Sequence, residues 1–159
     1  MKRPRFGFGA TFLRDKTYAF VAGGYSTAKQ VITNCELFNV RGNKWTEIPA
    51  RMKKQRTAHS LCEVGGGKFV YAFGGSEPRV ADQTERSLDS IERLQLGTAM
   101  ELEGTIGSAA WELLSDIKLP MPLSNLGCFP LSQGEVLLFG GINNGMKQSW
   151  GKVMMMMGG

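Results

Sequence analysis

The run Tyr18-Ala19-Phe20-Val21-Ala22-Gly23-Gly24 decides how the rest of the chain is read, because it occurs three times. It returns as Phe69-Val70-Tyr71-Ala72-Phe73-Gly74-Gly75 and as Glu135-Val136-Leu137-Leu138-Phe139-Gly140-Gly141, with the glycine pairs 51 and then 66 residues apart. A short aromatic and β-branched run bounded by turn residues is a strand signal. Self-similarity at a period of this length marks an array of repeated units. Two glycines at a strand end permit positive φ and close approach of a neighbouring backbone. The 21 glycines among 159 residues are about twice the usual ~7% share and fit many strands joined by tight turns.

Alignment on the glycines extends the similarity. Arg5 lies 18 residues before Gly23, and Arg56 lies 18 before Gly74. After the first pair, Glu36-Leu37-Phe38 sits in the extended run 31–39; after the second, Glu92-Arg93-Leu94 sits in 88–96. Trp45 and Trp111 come next, each followed by a proline-marked link with a methionine, Pro49-Ala50-Arg51-Met52 and Leu119-Pro120-Met121-Pro122. An arginine, a strand ending in Gly-Gly, a Glu-x-aromatic segment, a tryptophan and a methionine-containing link, at about 50 residues per unit, resemble the kelch repeat.

The resemblance covers residues 1 to about 141. It implies an all-β fold: a kelch-type β-propeller segment of about two and a half four-stranded antiparallel blades, with the ring not closed. Blade 1 would occupy 1–48, blade 2, with long loops, 49–120, and half of a third blade 121–141. Residues 142–159 form a tail to which no structure is assigned, since Trp150 follows Gly141 by only 9 residues whereas Trp45 follows Gly24 by 21. The expected strands are 6–13, 17–22, 31–38 and 44–48, then 59–64, 68–73, 88–96 and 109–114, then 126–131 and 135–139. A small sheet stacked between neighbours is apolar on both faces, which accounts for unbroken apolar runs such as 69–73. One tryptophan per unit can fill the space between adjacent sheets, burying roughly 150–250 Å². Gly23, Gly24, Gly74, Gly75, Gly140 and Gly141 are therefore read as structural, together with Trp45 and Trp111. Repetition of Arg5 and Arg56, and of Glu36 and Glu92, points to a structural ion pair in each unit rather than a catalytic dyad. Propellers close with 4–8 blades, and a shorter array leaves an apolar face uncapped. The chain is thus expected either to be a piece of a longer array or to self-associate to complete a ring.

Charge is uneven. Residues 1–56 hold 12 Lys/Arg against three acidic residues, a balance of +9; residues 57–159 hold 7 against 11, a balance of −4. A basic front attracts acidic proteins, RNA or anionic surfaces. Cys35, Cys62 and Cys128 are odd in number and widely spaced, so neither a disulfide framework nor a zinc site follows. Reduced, half-buried cysteines fit a cytoplasmic protein, with the nucleus also open to it. The basic start lacks the apolar segment of a secretory signal. No run approaches the ~20 apolar residues of a membrane helix, so no membrane partner is expected.

No catalytic, cofactor or metal residues are assigned. Gly65-Gly66-Gly67-Lys68 is no phosphate loop, because Cys62 stands at the first glycine position and Phe69 at the Ser/Thr position; it reads as a hairpin turn. Gly7-Phe8-Gly9 fails as a dinucleotide fingerprint, since Phe12 takes the third glycine position. His59 is the single histidine, and a structural or hydrogen-bonded role at the start of an inner strand is expected for it. In an antiparallel blade the b–c and d–a connections emerge on one face. The long charged loop 76–87 and the basic link 51–56 then share a face, and long loops on a rigid scaffold are where binding resides. Arg51, Lys53, Lys54, Arg79 and Arg86 are the candidate partner-binding residues, for a protein partner with an acidic segment. The acidic insertion 97–108, on the opposite face, would serve a different contact. The expected function is a non-catalytic protein–protein interaction scaffold. The alternatives are a fragment of a kelch-like enzyme whose catalytic residues lie elsewhere, or a weak anionic-ligand or RNA binder using the basic N-terminal third. Nucleic acid is the less favoured partner, since no exposed aromatics interleave the basic residues.

Overall fold

The computed structural model of the chain describes residues 1–13, 16–78, 85–96, 109–132, 134–143 and 152–156. Among them every regular element is a β-strand. The first repeat supplies β1 (Arg5–Phe6), β2 (Gly9–Leu13), β3 (Tyr18–Ala22), β4 (Tyr25–Ser26), β5 (Asn34–Asn39) and β6 (Lys44–Arg51). The second supplies β7 (Ser60–Val64), β8 (Phe69–Phe73), β9 (Ser76–Pro78), β10 (Glu85–Ser87), β11 (Ser90–Gln95) and β12 (Trp111–Lys118). The third supplies β13 (Ser124–Pro130), β14 (Glu135–Ile142) and β15 (Lys152–Met156). They pair antiparallel into a first sheet β2-β3-β5-β6, a second β7-β8-β11-β12 and a third β13-β14-β15, with two short ribbons, β1-β4 and β9-β10. None of the sheets closes on itself. The first two are in the same register, Val21 facing Glu36 and Ala72 facing Glu92.

The sheets stack through their first strands, β2 beside β7 and β7 beside β13. Leu13, Phe20, Leu37, Leu94 and Trp111 share the core between the first and second sheets. Tyr71, Phe73, Ile91, Leu126, Val136 and Leu138 share the core between the second and third. The second sheet is therefore covered on both faces, the physical reason its strand β8 is apolar at every position. Trp111 fills the first of these spaces: it is 1% exposed, its ring lies 6.2 Å from that of Phe20, and its Nε1 donates to Cys35 Sγ at 3.3 Å. Trp45 does not play the same part. It lies half-buried on the open face of the first sheet, against Phe38 at 4.9 Å.

Main-chain hydrogen bonds repeat between sheets. Gly24 N–H donates to the Arg56 carbonyl (2.9 Å), and Gly75 N–H donates to that of Leu123 (2.8 Å). Ala58 N–H donates to Gly7 O (2.7 Å), and Asn125 N–H to Ala58 O (2.8 Å). Gly7, Ala58 and Asn125 all take left-handed φ, 62°, 50° and 55°, so one turned residue per repeat hands the chain to the next sheet. Gly74, at φ +57°, needs glycine twice over: any Cβ there would collide with the Leu123 carbonyl.

Several expectations need adjustment. β6 continues through Pro49 to Arg51, which an outermost strand allows because the missing N–H faces away from the ladder. β12 begins at Trp111 and runs on to Lys118, and β14 runs through Gly140-Gly141 to Ile142. The tail does have a place: β15 pairs with β14, Lys152 opposite Phe139 and Met156 opposite Glu135, as third strand of the third sheet. Residues 79–84 of the loop 76–87, Arg79 among them, the insertion 97–108 and Trp150 lie outside the described residues.

Candidate functional site

Two copies of one polar unit fix the lead-in to each complete sheet. Arg5 Nη2 donates to Glu36 Oε1 at 2.8 Å, and its Nη1 donates to the Gly23 and Asn34 carbonyls at 3.1 and 2.7 Å. Glu36 also accepts the main-chain N–H groups of Lys2 (2.6 Å) and Arg3 (3.1 Å). In the second copy Arg56 Nε donates to Glu92 Oε1 at 3.0 Å, and its Nη1 to the Gly74 and Ser90 carbonyls at 2.7 and 2.9 Å. Arg56 Nη2 reaches Ser90 Oγ at 3.0 Å. Glu92 accepts the N–H groups of Lys53 (2.7 Å) and Lys54 (3.0 Å). All four charged side chains are fully buried, and the fork of an arginine is what lets one cation serve two carbonyls and a carboxylate. The third repeat departs here. Pro122 stands 18 residues before Gly140, and buried Leu123 follows it.

His59 sits just before β7 among Gly9, Gly23 and Gly75, each too close to it to carry a Cβ. Neither ring nitrogen has a hydrogen-bond partner. Burial first, and then the charge of Arg56, push its pKa down to about 3, while the facing Ala22 carbonyl opposes the shift without completing a hydrogen bond. The imidazole is a neutral packing group, as its place beside an inner strand suggested.

The candidate binding residues divide. Lys54, on the β6–β7 link, and Arg86, on β10, meet at Glu77 of β9: Lys54 Nζ lies 3.4 Å from Glu77 Oε2, and Arg86 Nη2 bonds Glu77 Oε1. Partial burial raises the Glu77 pKa, but Arg86 and Lys54 outweigh it and hold the carboxyl below its ordinary value. That contact brings the 51–56 link and the described ends of the 76–87 loop, β9 and β10, to one face. Beside it opens a cavity of about 530 Å³ lined by Lys54, Arg86, Asp89, Leu113, Ser115 and Lys118, among others. It forms where the β11–β12 register shifts between Ser90 and Glu92, opposite Lys118. Three cations face one carboxylate there. Lys118 was missed because strand d was expected to end at 114; with the strand ending at 118, the same face rule would have found it. Arg51 is elsewhere engaged, its Nη1 on the carbonyls of Ile48, Pro49 and Ala50 and its Nη2 on Glu47 at 3.1 Å. Lys53 is exposed and joins the site only through its main-chain bond to Glu92.

Gly65, Gly66 and Gly67 form the β7–β8 hairpin turn with φ of 76°, 65° and 89°. Cys35 and Cys62 are fully buried, Cys128 is half-buried, and all three are free. Among the described residues no group of three or more His, Cys, Asp or Glu could hold a metal ion, and no helix is long and apolar enough to cross a membrane. Comparison with protein-family models and with curated proteins returns no match.

Proposed function

We propose that the chain is a kelch-type β-propeller segment that works as a non-catalytic scaffold and holds a protein partner through an acidic segment. The cavity lined by Lys54, Arg86 and Lys118 carries this reading. It lies at the end of the β11–β12 pair beside the β6–β7 link and the β9–β10 ribbon, and connections on a rigid scaffold are where binding residues are placed. It is concave and apolar at Leu113, with cations converging on it, which is the combination that seats a carboxylate. Two sheets with equivalent Arg–Glu units, glycine pairs and inter-sheet hydrogen bonds support the propeller-segment part of the reading. The kelch order of Arg, Gly-Gly, Glu and Trp accounts for which residues those are.

Fluorescence anisotropy with labelled hexaglutamate tests it, hexaglutamine being the neutral control. The wild-type chain is expected to bind the acidic peptide with an affinity that falls as salt is raised. Arg86→Glu combined with Lys118→Glu should weaken binding by tenfold or more, while Arg51→Glu, on the outer edge of the first sheet, leaves it within about twofold, as expected for a charge beyond the contact. Equal binding of hexaglutamine, or an unchanged affinity in the double variant, refutes the contact.

A further inference from the structure

We infer that two copies of this chain join head to tail into a closed ring of six sheets, the open face of the third sheet of each copy covering the open face of the first sheet of the other. The inference stands on repeat geometry and does not depend on the acidic-partner reading.

The open face of the first sheet carries Ala10, Phe12, Ala19, Val21 (already buried), Phe38 and Trp45. By register these correspond, position for position, to Leu61, Glu63, Val70, Ala72, Leu94 and Trp111 of the second sheet. Those are the residues on which the first sheet packs, and apart from Glu63 all of them belong to that shared core. The occupant that fits the first sheet's open face is therefore another sheet of the same kind, seated as the first sheet is seated on the second. Phe12 is 55% exposed there, and Trp45 waits in the position that Trp111 fills.

The third sheet supplies the complement. Its open face carries Gly127, Phe129, Leu137 and Phe139, which correspond to Ser60, Cys62, Tyr71 and Phe73 in the second sheet. The last three of those are buried in the core toward the third sheet. Phe129 and Phe139 are 59% and 49% exposed. The glycine pair gives a separate indication. A Cβ on Gly23 or Gly74 would strike the carbonyl of the next sheet's lead-in, whereas a Cβ on Gly140 would meet nothing among the described residues within 4 Å. The backbone at Gly140 has nonetheless the same left-handed φ, +68° against +66° and +57°. No described residue occupies the landing place for a next lead-in, and the residue equivalent to Arg56 and Leu123 is Arg5, at the front of the first sheet. Head and tail faces differ, so the contact is heterologous, and such contacts give rings when the rotation closes. Six sheets fall within the 4–8 that close a propeller, and two identical junctions leave no apolar face open.

Sedimentation equilibrium of the full chain reads the outcome. At about 100 μM, far above a Kd of even 1 μM, the wild type should have twice the 17.4 kDa of one chain. Ala19→Glu on the head, at the position equivalent to buried Val70, and Phe139→Glu on the tail should each give folded monomer, checked by circular dichroism. An equimolar mixture of the two variants should recover dimer, because one of its two junctions then has an unaltered head and an unaltered tail. A monomeric wild type overturns the inference. So does a dimer lost with one variant only, which is the mark of a symmetric face-to-face contact, and so does growth beyond the dimer.

Discussion

His59 is enclosed by Gly9, Gly23 and Gly75 and stays neutral because it is buried and Arg56 is near. That arrangement makes stability depend on pH in a definite sense. The unfolded histidine takes a proton below its ordinary 6.5, whereas the folded one does so only near 3. Stability is therefore full above pH 6.5 and falls as the pH drops toward 3, by about 2 kcal/mol between pH 7 and pH 5. Glu47 and Glu77, both held below their ordinary value, lose their contribution only at lower pH. Urea denaturation at pH 7 and pH 5 should show that loss in the wild type and a nearly flat response in His59→Gln. Equal slopes in the two proteins would mean that the imidazole is not buried as described.

At the scale of elements, the buried Arg–Glu pairs tie each lead-in to the sheet it precedes. Arg56→Met removes four donors and strands the Glu92 carboxylate, a change that costs about 3–5 kcal/mol when a buried pair is broken. Arg56→Lys should not restore the loss, because a point charge cannot serve Gly74, Ser90 and Glu92 together. Denaturant titration of both variants checks this; a lysine variant as stable as wild type would contradict the geometry. These elements were largely legible in the sequence. The period exposed the glycine-paired strands, and the repeated Arg5/Arg56 and Glu36/Glu92 positions implied ion pairs that the structure contains. β15 was not legible, because 152–156 carries neither the Glu-x-aromatic segment nor a spaced tryptophan, and its pairing is set by β14. The site was half legible. Lys54 and Arg86 followed from which connections share a face, whereas Lys118 depended on where β12 ends and Arg51 on hydrogen bonds that no spacing reveals.

At the scale of the molecule, one repeated unit stacks on the next through the same contacts, leaving a head face and a tail face unlike each other. The stacking rests on four main-chain N–H groups outside the strand ladders: Gly24, Ala58, Gly75 and Asn125. In isolated sheets these would face water; in the stacked array each donates to the neighbouring repeat at 2.7–2.9 Å. Amide hydrogen exchange resolved by residue tests that claim most directly, because protection tracks the opening free energy of each hydrogen bond. The account expects all four amides to exchange as slowly as those of the central strands β3 and β8. Exchange at the rate of exposed turn amides at these four positions would contradict the stacking and with it the array.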